Sequence, residues 1–478
     1  LSGDGDLLFY GCDVGEGDSG ATFLASIATA TGADVAASID DTGASSRGGN
    51  WNLEATTGSV EADGAFTAEA LAEYGYVFAT FNVNTTADTV DINPGDGVAL
   101  DAGGNTSLRA AIMEANALAG DDFIVLPVGT FTLTLAGTGE DAAATGDLDI
   151  TDITGKLTII GAGADQTVID AGGNSRLFQI LNAASLSLSG VTLTGGDQPN
   201  LFGDNRGGGI NNRGSLDLVG VSITGNTASS GGAIVNVGDL TITDSTLSGN
   251  QIGFGGGAID NQNGSLLITN TTISGNTADN AAAIANLGTG TVTILNSTIT
   301  GNTAVFSAGG IGNTGGDFSL KNTIVAGNTA PVTPDINSGV FISQGNNLIG
   351  VIGAATGFTD GVNGDQVGTS GSPIDPLLGV LQDNGGPTFT HALLAGSTAI
   401  DAGNNTLAVD SSGNPLTTDQ RGFGRILNGG NGTVVDIGAF ELRRVIVGQN
   451  FTGGQLFLNG NLSIPPDTMG SVGPNHIV

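Results

Sequence analysis

Thiols and imidazoles are scarce in this chain, and their spacing limits the chemistry they could perform. Cys12 is the one cysteine. It follows the apolar run Leu7-Leu8-Phe9-Tyr10, where a strand would end. A reactive thiolate needs a base beside it. The two histidines are His391 and His476, so no histidine lies near Cys12 in sequence. A His-Gly pair upstream of Leu1 would favour a peptidase; without it Cys12 reads as a small apolar residue closing a strand. One cysteine excludes an intrachain disulfide or a thiolate metal site, and two distant histidines argue against zinc.

Sugar-polymer chemistry needs a different set. A lyase of the stacked-coil type places a basic residue beside Ca²⁺-binding carboxylates, and a hydrolase uses two converging carboxyls. The bases available in the central region are Arg206, Arg213 and Lys321, and the acids are Asp217, Asp239, Asp244 and Asp260. These acids do not recur in one column, and Lys321 lies far from the arginines. No cofactor is expected. Calcium is compatible with the many carboxylates, but no residue is assigned to it. Asp101, Asp170 and Asp401 each open an Asp-Ala-Gly turn, which reads as Asp capping its own backbone. The GGxGxD calcium repeat is absent. His391 reads as a packed or capping residue, and Trp51 as core.

The elements that would position such groups follow from composition. Of 478 residues 83 are Gly, without a collagen period, and 39% are apolar, too many for a disordered chain. Acidic residues number 46 against 11 basic, a formal −35. That balance excludes nucleic acid and anionic membrane surfaces as partners. No apolar run is long enough to span a membrane.

A repeat dominates the centre. Gly-Asn recurs at Gly225-Asn226, Gly249-Asn250, Gly275-Asn276, Gly301-Asn302 and Gly327-Asn328, spaced by 24, 26, 26 and 26 residues. A short β-type run precedes each pair, such as Thr271-Thr272-Ile273. Further upstream an alternating pair recurs: Leu216/Leu218, Leu240/Ile242, Leu266/Ile268, Val292/Ile294 and Phe318/Leu320. Each unit opens on an Ile step ending in Asn212, Asn236, Asn261, Asn286 or Asn313. Three strands and three turns per 25 or so residues is the arithmetic of a parallel β-helix. The alternation turns Leu216 and Leu218 inward. Gly and Asn are expected at corners that need positive φ.

Stacking places the asparagines in two columns: Asn226, Asn250, Asn276, Asn302 and Asn328, and Asn212, Asn236, Asn261, Asn286 and Asn313. An amide donates and accepts, so each can bond the neighbours above and below. The columns read as structural ladders rather than a sugar-binding strip.

Thr106 or Ser107 should cap a helix carrying Leu108, Ile112 and Ala115 on one face, suited to cover the open end of the stack. Ser107-Leu108-Arg109-Ala110-Ala111-Ile112 resembles the CSLREA segment that opens many bacterial β-helix surface proteins. Asp375-Pro376-Leu377-Leu378-Gly379, Asp383-Asn384-Gly385-Gly386-Pro387-Thr388, Ala399-Ile400-Asp401-Ala402-Gly403, Asp419-Gln420-Arg421-Gly422 and Asp436-Ile437-Gly438-Ala439-Phe440-Glu441 resemble the choice-of-anchor Q domain of such proteins. The resemblance, over about 85–441, implies a right-handed, pectate-lyase-like β-helix with surface display or adhesion as its role and no activity to carry over.

The first 62 residues differ. Leu7–Tyr10, a helix over 22–31 burying Phe23, Leu24 and Ile27, and Asp34–Ser38 make a βαβ unit. Phe9-Tyr10-Gly11-Cys12-Asp13-Val14 and Gly49-Asn50-Trp51-Asn52-Leu53-Glu54 resemble an uncharacterised N-terminal domain of large bacterial surface proteins. That domain is distantly similar to the caspase-like and CHAT peptidase fold, of which the C-terminal half would be present.

The expected organisation is a mainly β chain: 1–62 a small α/β remnant, 63–84 a linker and 85–150 a cap. Rungs occupy 151–350, a C-terminal β-helix region 351–441, and 442–478 leads into a further domain. It reads as a piece of a longer, exported bacterial protein, extracellular or on the cell surface, meeting glycans or cell-surface proteins. The alternatives are a polysaccharide lyase or hydrolase, and a self-processing Cys peptidase module.

Overall fold

The computed structural model describes residues 5–11, 14–40, 42–44, 49–62, 66–67, 71, 79–137, 139–198, 206–253, 255–410, 412–425, 434–443, 472–473 and 476–477. Cys12 lies outside the described residues. Of the unit from Arg443 onward, Val472–Gly473 and His476–Ile477 pair antiparallel.

Near the N-terminus, Asp6–Phe9 and Asp34–Ala37 pair in parallel, joined by helix α1, Gly17–Thr31. Ala55–Thr56 adds an antiparallel strand. Gly32 ends α1 in the left-handed conformation, at φ 73°. Leu24 packs on Val35 and Ala37, with Ile27 and Ala28 on the same face. Phe23, expected inside, is 43% exposed. One residue turns the helix by about 100°, so Phe23 stands at the edge of the Leu24/Ile27/Ala28 stripe. It meets Phe9 edge-on at 5.8 Å.

From Ala79 the chain winds into a right-handed parallel β-helix. Three sheets form its faces. Face A has ten strands from Ala79–Asn82 to Ile342–Gly345, and face B ten from Gly129–Thr132 to Gln366–Val367. Face C has seven, from Leu148–Ile150 to Ile311–Asn313. At one strand spacing per coil, face A is about 43 Å across its ten strands. Coils therefore extend outside 151–350 at both ends, and 79–82 is already solenoid rather than linker.

The register keeps like over like. Leu186, Leu216, Leu240, Leu266 and Val292 stack in one column, and Leu188, Leu218, Ile242, Ile268 and Ile294 in the next. All are buried in one continuous core with the inward residues of faces B and C. Each buried Leu or Ile contributes roughly 1.5–3 kcal/mol.

Two details differ from the reading by pattern. Each central coil carries a fourth short strand just after Gly-Asn, Thr227–Ala228, Gln251–Ile252, Thr277–Asn280 and Thr303–Ser307, pairing in its own sheet. A small cluster of Ala228, Ile252, Ala278 and Ala304 lies under it. Positive φ belongs to the glycine of each Gly-Asn pair, Gly225 to Gly327 at 64–73°, and not to the column asparagines. A different corner uses non-glycine residues at positive φ: Asp244, Asn270, Asn296, Asn322 and Asn346, at 47–53°. Asn and Asp tolerate this region better than other side chains.

Helix α2, Leu108–Ala117, lies across the open end of the core. Ser107 caps it, its Oγ accepting from the Ala110 N–H at 3.0 Å. Leu108, Ala111, Ile112 and Ala115 join the core. The charged residues of α2 are buried as well. Arg109 pairs with Asp88 at 2.5 Å and donates to the carbonyls of Ala143 and Gly146 at 2.7 and 2.8 Å. Glu114 accepts from the Gly95 N–H at 2.5 Å and from that of Gly97. The two side chains thus tie the loops around the cap.

Arg109→Leu should cost about 3–5 kcal/mol, because it strands the buried Asp88 carboxylate and two carbonyls. A melting temperature within a degree or two of the parent would contradict this account of the cap.

Candidate functional site

The asparagine columns are the most regular polar feature. In the first, the Nδ2 of Asn226 donates to Asn250 Oδ1 at 3.0 Å, and the step repeats to Asn276, Asn302 and Asn328 at 2.8–2.9 Å. Each Oδ1 also accepts the backbone N–H of the residue one coil below, at 3.0–3.1 Å. Each Nδ2 gives a second hydrogen bond to a carbonyl of the previous coil, as Asn276 does to Leu247 O at 3.0 Å. In the second column Asn212, Asn236, Asn261, Asn286 and Asn313 link at 2.7–3.0 Å.

Both columns are directional, since every amide donates toward the C-terminal end. A column of donors must finish on an acceptor. The first finishes on Asp335 Oδ1, which accepts both the N–H and the Nδ2 of Asn328 at 2.9 Å. The second finishes on Val340 O at 2.9 Å. Pattern reading missed a third column. Its side-chain oxygens are Ser245, Thr271, Ser297 and Thr323, each accepting a backbone N–H from one coil below at 3.1–3.4 Å. It continues through Asn347 to Asp365 at 2.9 Å. The 26-residue spacing of those hydroxyls was the available signal.

The acids and bases singled out for sugar chemistry do not converge. Asp217 and Asp239 lie on face A, Asp244 at a corner and Asp260 on face C. Asp217 meets Lys156 at 2.5 Å, both more than a third exposed, a pair worth about 0–1 kcal/mol. Asp260 is buried, accepting from Ser230 and from Gln262 Nε2 at 2.7 Å. Arg206 donates to Gln262 Oε1, and Arg213 follows the face C strand Ile210–Asn212. Lys321 ends a face A strand; burial lowers its pKa, with Asp410 acting against the shift.

Two of the three Asp-Ala-Gly turns cap themselves. Asp101 Oδ1 accepts the N–H of Gly103 and of Asn105 at 2.8 Å, and Asp170 Oδ1 that of Gly172. Hydrogen bonding, led by Asn105, holds Asp101 below its ordinary pKa. Asp401 N–H donates to Asp436 Oδ1 at 2.7 Å. Among the described residues one group of three carboxylates gathers closely, Asp6, Asp34 and Glu61, with ligand atoms within 4.8 Å. Trp51, expected in the core, is half-buried; it meets Tyr10 edge-on at 6.2 Å and the half-exposed Phe66 in a tilted contact at 5.8 Å.

Among the described residues, 374–410, 412–425 and 434–442 add no coil. They return along face B and its corner with face A as a strap. A hairpin of Leu378–Gln382 and Thr390–Leu393 begins it. Leu393, Ala399, Ile437 and Phe440 pack on Ile324, Ala326 and Leu348. Gln420 is wholly buried, accepting from Thr272 Oγ1 at 2.6 Å and donating to Ser245 O at 3.0 Å. Arg421 clasps Asp419 at 2.6 and 3.0 Å, donates to Glu441 O at 2.7 Å and lies 3.6 Å over the Phe440 ring.

His391 completes the attachment. Its Nδ1 lies 2.7 Å from Gly379 O, which can only accept, so Nδ1 carries the proton. Nε2 then accepts from Ser274 Oγ at 2.8 Å. Nucleophile, base and orienting group are thus in order, but Ser274 is 4% exposed beneath the strap. Lifting the strap would remove His391 with it, so the contact serves as a clamp.

Burial raises the pKa of several carboxyls. Desolvation first, then Asp147, Glu140 and Asp141, push Asp149 up to about 8, and neither of its oxygens has a hydrogen-bond partner. Desolvation likewise raises Asp122 to about 7 and Asp335 to about 6.

Comparison with known proteins places the N-terminal residues 1–78 in a match to a domain of unknown function (DUF4347). No curated protein matches the chain. Among solved structures, it is similar to a PL6 alginate lyase in complex with a trisaccharide, at 13% identity and a TM-score of 0.31. That likeness covers 64% of this chain and 65% of the lyase chain, just under two thirds of the latter's length. It is also similar to pectate lyase Pel9A, at 15% identity and a TM-score of 0.38, over 77% of this chain and 96% of that one. At this identity the likeness concerns fold alone.

Asn276→Ala would leave the N–H of Asn250 and one of its two Nδ2 hydrogens without an acceptor and would remove the side-chain donor to Leu247 O. A loss of about 2–4 kcal/mol is expected from denaturant unfolding, since each stranded buried group costs about 1–3 kcal/mol. An unchanged midpoint would contradict the ladder. The raised carboxyls set a second expectation. A raised folded pKa gives stability that is full below the unfolded value and lost as pH rises through about 6 to 8. The melting temperature should therefore be higher at pH 5 than at pH 8.5 in equal salt; a flat or reversed profile would refute this.

Proposed function

We propose that this chain is a non-enzymatic extracellular or cell-surface β-helix protein that serves adhesion or surface display. The observation that supports this is the outward surface of face A. Ser185, Ser187 and Ser189, then Ser215, Asp217 and Val219, then Asp239, Thr241 and Thr243, stand outward in register while their neighbours fill the core. Such a flat strip offers hydroxyls at a repeat of about 4.8 Å, suited to weak contacts summed along an extended glycan or a partner surface. On this reading the solenoid is a stiff spacer, no cofactor is required, and Ca²⁺ acts at most through exposed carboxylates.

The segment resemblances agree with this role. On this reading Ser107–Ile112 is a CSLREA-type start whose role is to cap the coils. The motifs resembling choice-of-anchor Q form the strap, a means of closing the solenoid. The caspase-like resemblance of the N-terminal unit would make it a self-processing module, a reading that depends on a base for Cys12.

The test is a pull-down of the full chain on insoluble polysaccharides and on a glycan array, with and without calcium, beside incubation with pectin, alginate and xylan. The expected result is retention in the high-micromolar range or weaker, with no product. Release of unsaturated or reducing ends would replace this proposal with a lyase or hydrolase.

A further inference from the structure

We propose that the strap, described over 374–410, 412–425 and 434–442, is proton-linked, closed on the solenoid in mildly acidic solution and lifting as Asp244, Asp436 and Glu441 ionise with rising pH. One layer between strap and solenoid holds more acids than bases. Asp419, Asp436 and Glu441 of the strap and Asp244 of the solenoid corner face two guanidiniums, Arg421 and Arg425. Arg421 is taken up by Asp419 and by Glu441 O. That leaves Arg425 for three carboxyls.

Arg425 is wholly buried and spends its donors elsewhere. Nη2 serves Asn270 Oδ1 at 2.7 Å, Asn296 O at 3.3 Å and Gly438 O at 2.8 Å. Nη1 stands 3.7 Å from Glu441 Oε2, and neither Nη1 nor Nε makes a hydrogen bond. Asp244 Oδ1 is also buried and unpartnered. With every acid ionised, the layer would bury more negative than positive charge, which is costly away from water. Protons on the acids remove that cost.

The electrostatics agree with this count. Desolvation first raises Asp244 to about 6, against the opposing effects of Asn270 and Arg425, and raises Glu441 to about 8, reinforced by Asp436. Asp436 is raised by burial, and Asp401 beside it adds to the shift. The closed form thus holds extra protons, so closure is favoured below these values and weakens as pH rises from about 6 through 8. His391 acts from the other side. Burial lowers its pKa, so acid that protonates it breaks its acceptance from Ser274. The remaining attachments, Gln420 and the Leu393/Ala399/Ile437/Phe440 cluster, carry no charge.

The experiment is limited trypsin digestion of the full chain at pH 6.5 and pH 9, normalised at each pH to an unfolded substrate. Cleavage after Arg421, buried in the closed strap, is the readout, and cleavage after Arg109 in the solenoid cap is the control. The Arg421 site should open about tenfold faster at pH 9, a unit change in log rate for each unit of pKa difference expressed, with the Arg109 site unchanged. Asp244→Asn with Glu441→Gln should flatten the dependence. Gln keeps the size of Glu441 and an acceptor for the Asp436 N–H, so Glu441→Gln alone decides the matter if the double variant misfolds. Asp335→Asn, at the end of the first ladder, should leave the Arg421 profile intact. Equal normalised rates at the two pH values, or a slope that persists in Glu441→Gln at its full size, would overturn the proposal.

Discussion

Parallel stacking of coils imposes one constraint on everything else: each corner turns backbone groups inward where water cannot reach them. A sheet satisfies its own N–H and C=O groups between neighbouring strands, but a corner has no ladder. The asparagine amide answers this because it joins three coils at once. Asn276 accepts from the N–H and Nδ2 of Asn250, donates up to Asn302 and donates back to Leu247 O. Register is therefore fixed at each turn, since a slip by one residue would strand four or more polar groups. The aliphatic columns inside follow from that register, and so does the flat outward surface of face A.

A directional ladder also needs an end. Donors that all point one way require a terminal acceptor with no proton of its own to place, and a carboxylate is the natural choice. Asp335 and Asp365 end the first asparagine column and the hydroxyl column respectively. The amides and hydroxyls take up the role that ion pairs hold elsewhere, which explains why a chain of −35 has so few pairs between coils. The acid that is buried is concentrated at the cap, the column ends and the strap, where coil stacking alone cannot close the structure.

What could be read from the sequence follows the range of the interactions. Gly-Asn pairs, the Leu216/Leu218 series and the Ile steps repeat every coil, so their stacking follows from spacing alone. Ser107 as a helix cap is equally local. The corner column of Asp244, Asn270, Asn296, Asn322 and Asn346 repeats at the same interval, but spacing cannot say which asparagine turns inward and which takes positive φ. Both positions ask for the same residue for different reasons. The fourth strand was hidden because Thr-Ala after Gly-Asn is too short to alternate. Arg109 and Glu114 look like surface charges on an amphipathic helix; their burial depends on loops drawn in from residues 88–97 and 143–147.

The strap was least legible, although its motifs were the most distinctive. Asp419-Gln420-Arg421 and Asp436 to Glu441 have no period, and Gln420 meets Ser245 across 175 residues of chain. Their meaning emerges only where they converge on a corner already built by the repeat. There the strap supplies what a solenoid lacks, a cover for one face. It does so with Gln420 and His391, which are neutral and fully engaged, and with Arg425 and its acids, which are not. A polar layer that served adhesion between strap and coils alone would balance its charges. This one sets four carboxyls, Asp244, Asp419, Asp436 and Glu441, against two guanidiniums, so the tightness of the cover is set by protons as well as by packing.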